Sequence, residues 1–160
     1  MKKIIFVLSL FMAGLFVNAQ VALTDFSGNW NSNAEKSIQP QGNQGGGSLV
    51  AKQVANLLTV ERTRTGQDGQ PTTVIMNYTL DGKECTNTSP RGESKSVANW
   101  SSDGKSLTIE TSRTMDRNGE SVTMKSTENW TLTDAKTLTV SSAGQGPAGE
   151  VKTTVVYDKV

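Results

Sequence analysis

The stretch NWSSDGKSLTIETSRTMDRNGESVTMKSTENW, residues 99–130, decides the fold. It contains two turn dipeptides, Asp103-Gly104 and Asn118-Gly119, and a third, Asp81-Gly82, lies just upstream. Asp-Gly and Asn-Gly supply the positive φ angles of two-residue hairpin loops, so each marks a predicted β-hairpin tip. A two-residue loop at Asp103-Gly104 sets Trp100 opposite Leu107 and Ala98 opposite Ile109. One at Asn118-Gly119 sets Met115 opposite Val122, Arg113 opposite Met124, Ile109 opposite Glu128 and Leu107 opposite Trp130. The apolar phase then agrees across three successive strands. A one-residue slip would turn the whole set outward. Such a meander must hide its edges, and closure into a barrel does so.

Strand patterning extends in both directions. Short strands are predicted at residues 25–30, 72–80, 84–88, 93–100, 106–115, 121–132, 137–142 and 151–157, and within 49–65. In that last segment Leu57, Leu58 and Val60 mark a strand in the second half, while the first half reads as strand or helix. Residues 31–36 read as a turn or a single helical turn. Residues 38–48, rich in Gln and Gly, read as a mobile loop, since they bury too little apolar area to offset their ordering entropy. The expectation is an all-β, single antiparallel up-and-down barrel of eight to ten strands. The Asp81-Gly82 hairpin places Tyr78 opposite Cys85, on the face of Met76 and Val74. Cys85 is therefore expected to point inward as a small hydrophobe, with an exposed thiol or a dimer bridge as alternatives. The segment around Asn99-Trp100 is echoed at Asn129-Trp130, with one extra residue before Asp134. A longer or bulged turn there keeps the faces matched by setting Trp130 opposite Val140.

Residues 1–19 read as a secretory signal peptide: Lys2 and Lys3, an apolar run from Ile4 to Val17, and small residues up to a cleavage site after Ala19. The apolar run is shorter than the roughly 20 residues of a membrane span. The remaining 141 residues suffice for one domain, 20–160. Loss of the two lysines takes the net charge from +1 to −1. The expected location is outside the cytoplasm, periplasmic or secreted, in a bacterial style of leader. A near-neutral chain lacks the field that steers nucleic acid, and its aromatic and basic residues are too few for a nucleic-acid platform.

The chain has no histidine and one cysteine. That excludes His-ligated haem, the usual zinc sites, iron–sulfur clusters, and Ser-His or Cys-His nucleophilic catalysis. No cofactor or metal is expected. Residues 116–120 lack the glycine and terminal glutamate of a calcium loop. Glu110 and Glu128 alternate to opposite faces, so no acid–base pair is in view and no enzymatic role is expected.

Two charged residues, Arg113 and Glu128, fall in phase with the apolar face, and Arg62 shares the phase of Leu58 and Val60. Buried charge is costly unless paired. Such groups either anchor a ligand's carboxylate or hydroxyl, or sit near the mouth, solvated or paired. The expected function is binding of a small, partly apolar ligand inside the barrel. Leu58, Val60, Met76, Tyr78, Ile109, Met124 and Trp130 would supply apolar contact, with Arg113 and Glu128 setting orientation. The alternative is a barrel without a cavity, acting through its loops as a protein-interaction or envelope-associated module.

The opening Phe26-Ser27-Gly28-Asn29-Trp30 carries a Gly-x-Trp on the first strand of a meander. This resembles the lipocalin and wider calycin pattern. Together with the ending Val156-Tyr157-Asp158-Lys159, it is similar to exported bacterial lipocalin-like proteins of unassigned function. The resemblance implies a barrel whose Trp30 plugs one end, a late basic residue (Lys159 or Lys152) packed on that Trp, and a cup for small apolar molecules.

Overall fold

The computed structural model describes residues 21–39, 47–66, 68–89, 92–117, 120–146 and 149–160. The proposed leader, the core of the Gln/Gly-rich segment (40–46) and the Asn118-Gly119 tip lie outside these residues. Ten strands follow in chain order: β1 (Gly28–Ile38), β2 (Ser48–Val54), β3 (Leu57–Thr65), β4 (Pro71–Thr79), β5 (Glu84–Ser89), β6 (Gly92–Trp100), β7 (Ser106–Arg117), β8 (Glu120–Asp134), β9 (Thr137–Gly146) and β10 (Gly149–Lys159). They form one antiparallel sheet in the order β4-β3-β2-β1-β10-β9-β8-β7-β6-β5. The β1–β10 pairing closes the sheet into a nearly complete up-and-down barrel.

The registers around residues 99–130 are those the turn dipeptides predict. Trp100 pairs with Leu107 and Ala98 with Ile109, and Leu107 pairs with Trp130, Ile109 with Glu128, Arg113 with Met124 and Met115 with Val122. Trp130 pairs with Val140, with the expected irregularity between Leu132 and Asp134.

Three local expectations are corrected, and the open choice of strand or helix for 49–54 is decided for strand. Residues 31–36 continue β1 instead of turning, and the strand absorbs the strain in a register shift between Asn33 and Ile38. Ile38 and Ser48, assigned to the loop, end β1 and begin β2. Segment 49–65 is two strands joined at Ala55-Asn56, with Ala55 carrying φ +49°. The Asp103-Gly104 connection is a four-residue loop inside a Ser101–Ser106 closing bond of 2.9 Å. Its Asp103 Oδ1 accepts from Lys105 N–H at 3.1 Å, and Gly104 alone of the dipeptide has positive φ, +69°.

The Asp81-Gly82 turn differs more deeply. It does not fold β4 and β5 into a hairpin, because these strands are the two ends of the sheet. Gly82, at φ +74°, carries the chain across the seam where the barrel meets itself. Lys83 N–H bonds Asp81 Oδ1 at 3.2 Å.

One end of the barrel holds the turns β2–β3, β4–β5, β6–β7 and β8–β9, together with residues 21–27 and the C-terminal Val160. This end is packed. Trp30, Phe26 and Trp130 are fully buried with Leu49, Leu58, Val60, Leu107 and Leu138. Residues 21–27 cross beneath it, with Thr24 N–H on Gly104 C=O at 2.9 Å. Phe26 stacks on Trp100 at 5.7 Å and meets Trp130 edge-on at 5.8 Å. Trp30 donates from Nε1 to Phe26 C=O at 3.1 Å. Lys159 Nζ lies 5.1 Å over the Trp30 ring, against Gly28, where a Cβ would sit 2.7 Å from Lys159 Cε. Trp30 and Lys159 thus occupy the plug positions that the resemblance implies.

Candidate ligand-binding site

Toward the other end, burial among the described residues falls. In β8 the alternation stops at Glu128: residues 120–127 are exposed on both faces. The reason lies in the neighbours. β6 accompanies β7 only as far as Arg113, and β9 accompanies β8 only as far as Ser126. β7 therefore runs on for four residues and β8 for six without their outer neighbours, roughly 13–20 Å. Val122 and Met124 keep their inward phase but are 38% and 36% exposed. The burial expected of them does not occur, because among the described residues β6 and β9 stop short of their height.

Between the packed end and the mouth lies a polar layer. Arg62 and Glu128 form a bidentate ion pair, Nη1–Oε1 2.8 Å and Nη2–Oε2 2.6 Å, with side chains 18% and 21% exposed. Trp130 Nε1 donates to Glu128 Oε2 at 3.0 Å, and the Arg62 guanidinium lies 5.5 Å over the Trp130 ring. Burial disfavours the Glu128 carboxylate, but the charge and hydrogen bonds of Arg62 and the Trp130 donor outweigh it and hold its pKa below the ordinary value. Burial likewise works against Arg62, and Glu128 more than offsets it, raising its pKa. Burial first, and the Glu128 charge second, push the Tyr78 phenol up. Burial also raises Tyr157. The Glu128 partner is Arg62, from across the barrel, not Arg113.

Arg113 stands directly opposite Met124 and Ser94. No ion pair holds it among the described residues, and its Nε is buried without a hydrogen-bond partner. A buried, unsatisfied guanidinium donor is costly and stands ready for an acceptor.

The nine residues expected to touch ligand therefore divide. Leu58, Val60, Ile109 and Trp130 are at most 1% exposed, Tyr78 3% and Met76 8%. A water-sized sphere touches the first four almost nowhere, so they pack on each other and leave no space against which a ligand could lie. Arg113, Met124 and Glu128 instead keep part of their side chains accessible. Sequence reasoning did not single out Val74 and Met115, which share this inward phase and are both half-buried. Their inward phase was legible, but the height at which the packed core ends was not. Cys85 does not face Tyr78 in a ladder. It is half-buried against the core, with Sγ on Asn77 C=O at 3.3 Å. Two grooves of about 310 and 300 Å³ lie on the outer wall and share Thr127. Neither is lined by any of the nine.

No known family model matches the chain, and no curated protein matches it. Among solved structures it is similar to zebrafish ileal bile acid-binding protein complexed with cholic acid. The TM-score is 0.58 at 16% identity, over 84% of this chain and 98% of that one. A redesigned β-barrel, mFAP1, bound to DFHBI aligns with TM-score 0.42 at 14% identity, over 83% and 94% of the two chains. The likeness to the bile acid-binding protein is one of fold: a calycin-like, nearly closed ten-stranded barrel.

Proposed function

We propose that this is an exported, non-enzymatic barrel that binds a small amphiphile at its open mouth, above the Arg62–Glu128 layer and not within the packed core. An apolar body would lie on Val74, Met115, Val122 and Met124. A negative head would take the free Arg113 guanidinium. The observation that carries this reading is the pairing, on one inward row, of an unpaired Arg113 with an exposed Met124 beside it. Apolar area left open beside an unsatisfied donor is the chemistry an anionic amphiphile completes. The fold neighbour complexed with cholic acid, a molecule of that chemistry, supports it.

The test is titration with the fluorescent anion 1-anilinonaphthalene-8-sulfonate, followed by Arg113→Gln and Met124→Ser. A charge-assisted hydrogen bond contributes about 1.5–3 kcal/mol, so Arg113→Gln should weaken the probe about 10- to 100-fold. Equal affinity in wild type and both variants refutes the site. Native mass spectrometry of protein from its own host would then identify the natural occupant. A second reading, a barrel acting through its surface as a protein-interaction or envelope-associated module, draws support from the filled core and the two outer grooves. Absence of any co-purifying small molecule, with a bound protein instead, would favour it.

A further inference from the structure

Among the described residues the barrel wall has one break in its hydrogen-bond ladder, between β4 and β5. A side chain bridges it. Asn87, on β5 and only 6% exposed, accepts from Asn77 N–H with Oδ1 at 2.7 Å. It donates from Nδ2 to Asn77 C=O at 2.9 Å. A carboxamide carries the same donor and acceptor as a peptide group. Asn87 therefore offers Asn77 the two bonds that a neighbouring strand would have offered. Backbone groups along a strand alternate in direction, so the N–H groups of Ile75 and Thr73 face the same seam. Neither has a backbone partner across it among the described residues. The seam is tied at its closed end by the Asp81-Gly82 turn, at mid-height by Asn87, and above that by no ladder.

Asn87 also belongs to the inward row that carries the proposed site: it pairs with Ser94, Ser94 with Arg113, and Arg113 with Met124. Releasing it would let β4 swing from β5 at the height of Arg113. Asn87 touches no ligand in this scheme. It is a positioning residue that governs access.

We propose that the Asn87 carboxamide is a latch on the β4–β5 seam, and that the occupant of the cup enters and leaves at a rate set by its release. The second half of this proposal rests on the cup reading above; the latch itself does not. Two measurements on the full mature chain separate them. Residue-resolved amide exchange reads the latch without ligand. In wild type the Asn77 amide should exchange at least 100-fold more slowly than Ile75. Asn87→Ala should abolish that difference while leaving Met76 and Tyr78, bonded within β3–β4, protected. Asn87→Asp keeps the acceptor and loses the donor, so it should retain protection at Asn77, and it serves if the alanine variant fails to fold. Unchanged Asn77 exchange in Asn87→Ala, or unprotected Asn77 in wild type, overturns the latch.

Stopped-flow binding of 1-anilinonaphthalene-8-sulfonate reads access. Asn87→Ala should speed association and dissociation together by about tenfold, with Kd held within about threefold. Accelerated amide exchange without faster probe kinetics overturns the gating role. If the probe binds wild type nowhere, the cup reading fails, the gating role falls with it, and the amide data alone judge the latch.

Discussion

Replacing Glu128 by Gln tests the layer that divides packed core from open cup. The substitution keeps shape and one acceptor but leaves the Arg62 charge, 18% exposed, without its counter-ion. It removes one of two short N–H···O contacts, 2.6 and 2.8 Å, and weakens or displaces the Trp130 indole bond at 3.0 Å. Breaking a fully buried pair from one side costs about 3–5 kcal/mol. The residual solvent here screens part of that, so about 3 kcal/mol is expected. At about 2.1 cal/mol/K of unfolding entropy per residue, a domain of about 140 residues loses about 3–4 °C per kcal/mol, or about 10 °C in all. Arg62→Met/Glu128→Leu, which removes both charges and fills the space, should fall within about 1 kcal/mol of wild type. Desolvation of the pair consumes most of its Coulombic gain. Urea unfolding followed by tryptophan fluorescence measures wild type, Glu128→Gln and the double variant, with Arg62→Met and Glu128→Leu as the single variants that close the cycle. A Glu128→Gln loss below about 1 kcal/mol, or a double variant losing as much as the two single variants combined, would refute the claim that this pair stands desolvated.

The pair also fixes a pH dependence. The Glu128 pKa is lowered on folding, so its contribution is present above the ordinary carboxylate range and is lost as pH falls through the depressed value. Thermal melts should show Tm steady at neutral pH and falling in acid, with the acid loss smaller in Arg62→Met/Glu128→Leu. Lys159→Ala removes the cation over Trp30 at 5.1 Å and should cost about 0.5–1 kcal/mol in urea, with Lys159→Arg restoring it. Gly82→Ala places a side chain at φ +74°. It should destabilise by about 1 kcal/mol or more, and no loss would show that the seam turn is not strained.

Local chemistry set the registers. Two turn dipeptides and a two-residue side-chain period fix which residue faces which across a hairpin, so Trp100–Leu107 and Leu107–Trp130 follow from spacing, and Trp130–Val140 from keeping the apolar faces matched. The inward phase of Arg62, Arg113 and Glu128 was legible for the same reason. Ala55-Asn56 was not, since a turn held at φ +49° by a non-glycine residue owes its geometry to the strands around it.

What alternation cannot encode is height. Phase says inward; only the lengths of neighbouring strands say whether inward means packed core or open mouth. Met124 and Ile109 share a phase, yet one is 36% exposed and the other 1%. Contacts between strands distant in sequence were equally out of reach. Arg62 meets Glu128 66 residues away, and Asp81-Gly82 spans a seam instead of closing a hairpin. A dipeptide specifies its own φ angles, but which strands pair is a property of the closed sheet, in which β1 lies beside β10 and β4 and β5 form its two edges.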